Sequence, residues 1–174
     1  MSTDANSPDE ILGQEFLTWL WYRSDSDPAA FKDKDGSPFA VSLEQKITVE
    51  GGSGEERETA AVSGALSPLR EARVGLATGK KVTRALLQLS RDEMNFQVTL
   101  KAADFSCNAL RTPKVEKPEE DDDPDAVFLE KVYLMETALR LLDCLYRAFL
   151  EIRLDEAAWA REVQALHAWT ERAD

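Results

Sequence analysis

Six basic side chains lie close together between residues 70 and 91, where Glu71 is the only acidic residue. Their segment carries a local charge of +5, whereas the whole chain, with 21 basic and 33 acidic residues, carries −12. Lysine and arginine hold phosphate groups without reading base sequence, and each such contact makes affinity more salt-dependent. The segment is therefore a candidate surface for the phosphates of DNA. Its basic residues are Arg70 and the five candidate ligands Arg73, Lys80, Lys81, Arg84 and Arg91.

Two other interpretations of these cations stay open. They can neutralise the acidic tract at residues 116–125, or they can form an ordinary solvated surface. A nucleotide-binding P-loop, in contrast, is excluded at this place. Only three residues separate Gly75 from Gly79, Lys81 stands where a hydroxyl residue is required, and the predicted order is helix then strand.

The residue types that usually carry catalysis are few and scattered. His167 is the only histidine, and Cys107 and Cys144 lie far apart in the sequence, so neither a Ser-His-Asp triad nor a zinc site is indicated. The carboxylates at residues 121–125 belong to a polar connector, and a metal-dependent nuclease built on them is the least favoured alternative. The sequence predicts a protein that is not an enzyme and that uses no cofactor, no metal and no small-molecule substrate.

Periodicity indicates the elements that position the basic segment. It begins in a short helix at residues 68–78, which Gly79 ends, and continues in a strand at residues 80–89. Alternating apolar residues predict further strands at residues 39–49 (with a bulge), 58–66 and 94–100, and an optional edge strand at 105–110. The β-β-α-β-β order predicts an α+β fold with a largely antiparallel, four-stranded sheet.

Three more helices are expected around this sheet. A capping box at Ser7 predicts a helix over residues 7–22, whose aromatic cluster either packs inward, the favoured interpretation, or stacks on nucleic-acid bases. A long helix at residues 124–152, capped by Asp123, carries two apolar stripes and is expected in the middle of the domain. A final helix covers residues 154–169. The stripes of the long helix are Phe128, Val132, Met135, Leu139, Leu142, Tyr146, Phe149 and, beside them, Val127, Leu134, Ala138, Leu141, Leu145, Ala148, Ile152.

Length and composition favour one domain over residues 1–174, with a mobile acidic connector at about residues 112–123. Neither a signal peptide nor a membrane span is apparent, and two unpaired cysteines suit a reducing compartment. We therefore expect a cytoplasmic protein that has no membrane partner and that associates with the nucleoid if it binds DNA.

Several segments, taken in order, resemble the C-terminal part of the recombination-associated RdgC family. They are Leu-Ser-Pro-Leu-Arg-Glu at residues 66–71, Gly-Lys-Lys-Val-Thr-Arg-Ala-Leu at 79–86, the strand at 96–100, the acidic connector ending at 121–125, and the helix at 128–150. Residues 12–21 look like a feature of shorter, stand-alone relatives. Within the second segment, Lys80, Lys81 and Arg84 match the family's Gly-Lys-x-Val-Thr-Lys pattern. One departure lies just before the short helix, where Gly64 and Ala65 stand in place of the polar or basic residues of better-known members.

The resemblance implies an α+β fold, a homo-oligomer, and sequence-independent binding of double-stranded DNA in the control of recombination, without catalysis. The alternative is an assembly or protein-interaction module that does not bind DNA. In that alternative, the aromatic first helix and the long apolar helix form a subunit interface.

Overall fold

A computed structural model describes residues 8–27, 30–43, 46–51, 58–62, 66–116, 119–120 and 123–172. Within these residues the fold is α+β, as predicted. The helices are α1 (Pro8–Ser26), α2 (Leu66–Ala77), α3 (Pro124–Arg153) and α4 (Glu156–Glu171). The strands are β1 (Phe31–Lys32), β2 (Pro38–Ser42), β3 (Ile47–Gly51), β4 (Glu58–Val62), β5 (Lys81–Arg91), β6 (Met94–Lys101) and β7 (Cys107–Arg111).

All strand pairs are antiparallel, and β5 is the central strand. One edge of β5 pairs with β2 near its end and with β3 near its beginning, and the other edge pairs along its length with β6. The remaining strands lie outside these, with β1 beside β2, β4 beside β3, and β7 beside β6. The predicted α+β fold with an antiparallel sheet is confirmed. The predicted arrangement of four strands in β-β-α-β-β order is wrong, because the described residues place four strands before α2 and three after it. The first predicted strand is split into β2 and β3, β1 is added, and β7 lies where the optional edge strand was expected.

Helix α1 forms the layer directly on the sheet. Its side chains are buried around most of its circumference, and Trp19, Leu20 and Trp21 are each at most 1% exposed. The hydroxyl of Thr18 accepts a hydrogen bond from the backbone N–H of Val82 at 3.1 Å. A Cβ at Gly13 would overlap the backbone carbonyl of Ala102, so only glycine allows α1 to approach the sheet this closely. The aromatic cluster of the first helix therefore packs inward and is not available to stack on bases.

Helix α3 lies outside α1, which corrects the expectation that the long helix is central. Asp123 caps it as predicted, because its carboxylate accepts from the N–H of Asp125 at 2.9 Å. Burial of α3 begins at Leu134, which belongs to the second of the two predicted stripes. The first stripe, from Phe128 to Tyr146, stays partly or fully exposed. Helix α4 packs against α3 and α2, and its Glu162 accepts a hydrogen bond from the Trp19 indole at 2.9 Å. Nowhere in the described residues is there a helix with the length and apolar content needed to cross a membrane.

Candidate nucleic-acid interface

The two faces of the sheet differ in burial. Along β5, Val82, Ala85, Leu87 and Leu89 are almost fully buried under the helices, while the residues between them are partly or fully exposed. An antiparallel sheet commonly has one face on the core and one in solvent. Because paired residues share a face, the strand registers identify the solvent-facing rows as Thr48–Arg84–Lys101, Leu86–Thr99–Asn108 and Ser42–Gln88–Gln97–Arg111.

Two positive charges stand next to each other in the first of these rows. Arg84 of β5 is the direct register partner of Lys101 of β6, and both side chains are exposed. Directly opposed residues have Cβ atoms about 5 Å apart, and like charges at that distance repel. No salt bridge to either side chain is found among the described residues. The pair is thus a local concentration of positive charge. It affects one carboxylate: hydrogen bonds from Ser106 and the charge of Lys101 lower the pKa of Asp104.

A groove of about 290 Å³ opens beside this pair at the end of the sheet. Polar side chains dominate its lining, including those of Gln14, Thr48 and Thr83. Its carboxylates are Glu10 and Glu50, both of which have interaction partners. The groove therefore offers hydrogen-bonding groups next to two cations.

The sequence-predicted cations at the beginning of β5 differ in environment. Lys81 is exposed and opposes Glu50 of β3. The side-chain carbons of Lys80 lie over Gly51 and Gly75, where an added Cβ would stand 2.6 and 3.1 Å from them. Lys80 is partly buried and has a partner of its own, so its stem contributes to packing between β3 and α2.

Arg73 lies in the helical layer, away from the exposed pair. Its guanidinium carbon stands 4.3 Å from the ring centre of Trp169, and one nitrogen donates to the Trp169 carbonyl at 2.7 Å. A second nitrogen is 3.9 Å from the carboxylate of Asp25, which also accepts from the Trp169 indole at 2.6 Å. These contacts join α2, α1 and α4 and leave the Arg73 side chain 20% exposed.

Arg91 lies at the other end of β5, about 33 Å from Lys81 at the usual rise per residue. It contacts the carboxylates of Asp33 at 2.6 Å and Asp35 at 2.7 Å, and only 11% of its side chain is exposed. The structure thus brings Arg84 together with Lys81 near one end of the sheet, but not with Arg73 or Arg91.

Sequence reasoning missed Lys101 and Arg111 because both lie outside the basic segment. Lys101 ends β6, and Arg111 ends β7 in register with Gln97. The alternation of apolar residues along β6 would have placed Lys101 on the polar face. Its position opposite Arg84 follows only from the hairpin register, which the turn at residues 92–93 sets.

Neither of the two cysteine thiols shows a sign of activation. Partial desolvation raises the pKa of the Cys107 thiol, although the residue is exposed, and burial together with the neighbouring Asp33 carboxylate raises the pKa of Cys144. A raised pKa disfavours the nucleophilic thiolate. Among the described residues, no group of three or more His, Cys, Asp or Glu side chains is arranged to hold a metal ion; residues 121–122 of the acidic tract lie outside them.

Compared with protein-family models, curated proteins and solved structures, the chain matches none of them.

Proposed function

We propose that this protein is a non-enzymatic DNA-binding protein that holds duplex phosphates on the solvent-facing side of its sheet. The observation that carries the proposal is the exposed, directly opposed pair Arg84 and Lys101. A phosphate between two such cations relieves their repulsion and receives charge-assisted hydrogen bonds from both. Lys81, whose register partner is Glu50, and Arg111 add positive charges on either side of this pair.

The rest of this face suits a phosphate backbone better than base edges. Its solvent-facing rows carry partly exposed amide and hydroxyl groups, such as Gln88, Gln97 and Thr99, which can donate to phosphate or sugar oxygens. We therefore assign binding that is independent of base sequence.

The net charge of −12 shapes how such binding would behave. The acidic residues on the rest of the surface repel DNA, so the duplex binds only where the cations are concentrated. Three or four phosphate contacts give a modest affinity with a salt slope of about −3. A role in recombination control, a homo-oligomeric state and a nucleoid location within the cytoplasm rest on the family resemblance.

Fluorescence anisotropy with a labelled duplex tests the proposal. Titrations with two unrelated duplex sequences at several salt concentrations should give equal affinities that weaken together as salt rises. An affinity that depends on sequence would contradict backbone binding. No binding at low salt would contradict DNA binding altogether and leave the assembly alternative.

A further inference from the structure

The first three turns of α3 extend beyond the body of the domain. Over residues 123–133 no side chain is buried, and Leu134 is the first buried residue of the helix. At 1.5 Å per residue this overhang, residues 124–133, is about 15 Å long. A helix of this length is marginal in water when nothing packs against it.

The overhang and the following turns carry an unusual amount of exposed apolar surface. Phe128 is 64% exposed and Leu129 63%, and the next turns add Tyr133, Met135 and Leu139 at about half exposure. Monomeric proteins rarely expose apolar groups in such a continuous patch. A patch of this kind marks an interaction site. We call these residues, together with the partly exposed Val132, the α3 apolar face.

We infer that the α3 apolar face binds a second copy of this chain, with the two helices antiparallel across a two-fold axis. Phe128, Val132, Met135 and Leu139 follow steps of four, three and four, which is the spacing of a coiled-coil seam. In an antiparallel pair centred between Val132 and Met135, Val132 of one copy packs against Met135 of the other. Phe128 of one copy then meets Leu139 of the other.

The available area is large enough for such a dimer. Phe128, Met135 and Leu139 on the seam, with Leu129 and Tyr133 at its margin, leave on the order of 500 Å² of apolar surface on each copy. A symmetric pair that covers the margin as well as the seam would bury about twice that area, which reaches the lower limit for a specific interface.

Charge favours a second copy in the antiparallel direction. This arrangement keeps the two acidic first turns, each with Asp125, at opposite ends of the interface and opposes the two helix dipoles. A parallel pair would place both acidic first turns together. The same acidic residues disfavour an anionic lipid surface as the occupant.

Sedimentation velocity of the full chain over a range of concentrations tests the inference, which does not depend on DNA binding. The wild type should approach twice its 19.5 kDa mass. Phe128→Glu and Met135→Glu should each weaken the dimer by roughly 30-fold or more, the effect of losing a central anchor. Val74→Glu is the matched control, since Val74 is an exposed apolar residue (54%) on α2, and it should leave the dimer unchanged.

Circular dichroism at a dissociating concentration should show that both α3 variants keep the folded spectrum of the diluted wild type. The inference is overturned if the wild type stays monomeric at the highest soluble concentration. It is also overturned if Phe128→Glu and Met135→Glu dimerise like the wild type.

Discussion

Arg140 of α3 binds the carboxylate of Asp33 through two nitrogen atoms, with Nε 3.1 Å from Oδ1 and a terminal nitrogen 3.2 Å from Oδ2. Arg91 approaches the same carboxylate from β5 at 2.6 Å, and the Asp33 side chain is only 2% exposed. Asp33 therefore links the long helix to the end of the central strand. This connection occupies Arg91, which the sequence suggests as a phosphate ligand.

The Asp33 cluster should make stability depend on pH. Burial alone would raise the pKa of Asp33, but the hydrogen bonds from Arg140 and from the Lys34 N–H, with the charges of Arg140 and Arg91, hold it below its ordinary value. Protonation therefore favours the unfolded chain. The ionised Asp33 carboxylate makes its full contribution to the free energy of unfolding above the ordinary aspartate pKa, near pH 4. This contribution is lost as pH falls through the lower pKa of Asp33 in the folded state.

Asp33→Asn should lower the free energy of unfolding by about 2–4 kcal/mol at neutral pH, because it leaves two buried or half-buried guanidinium groups undercompensated. Urea denaturation at several pH values should also show a weaker acid dependence than in the wild type. Asp35→Asn is the control, since that exposed carboxylate is screened by solvent and should matter far less. Equal stability of Asp33→Asn and wild type would show that the cluster does not stabilise the fold.

Leu141 should be among the residues of α3 that matter most for stability. It is fully buried, and truncation to alanine leaves a cavity that should cost about 2–5 kcal/mol. Leu154→Ala, at a leucine that is 80% exposed, should cost less than about 0.5 kcal/mol in the same denaturation experiment. Similar losses in the two variants would mean that the buried side of α3 is assigned incorrectly. Leu142, the next residue, is only partly buried.

Arg73 should act in folding and not in DNA binding. Arg73→Ala removes the contact with the Trp169 ring and the hydrogen bond to its carbonyl, so we expect a loss of about 1–3 kcal/mol of stability. DNA affinity, measured well below the melting temperature, should stay close to that of Arg70→Ala, an exposed arginine on the same helix. A selective loss of DNA affinity in Arg73→Ala would return this residue to the binding surface.

Local signals were sufficient to predict most elements of the fold. Alternation predicted the strands around α2, and Asp123 with Pro124 predicted the beginning of α3. Gly79, with a φ of +95°, adopts the left-handed conformation expected of a helix stop. These features depend on neighbouring residues, which is why the sequence alone reveals them.

Features that depend on distant residues were not predictable in the same way. Apolar residues surround α1 and also cover much of α3, and composition does not say which helix lies against the sheet. The partners of Arg73 and Arg91 are Trp169 and Asp33, which only the tertiary fold brings near. The pairing of Arg84 with Lys101 likewise depends on strand register.

Charge reversal on the solvent-facing side of the sheet tests most directly whether the cations there bind DNA. The variant Arg84→Glu/Lys101→Glu should be compared with Arg161→Glu/Arg172→Glu, which makes the same charge change at exposed positions of α4 and its C-terminal cap. Fluorescence anisotropy with a random-sequence duplex at low salt is the measurement. We predict that the first variant loses nearly all binding and the second keeps most of it, whereas equal affinities in the two variants would contradict the claim.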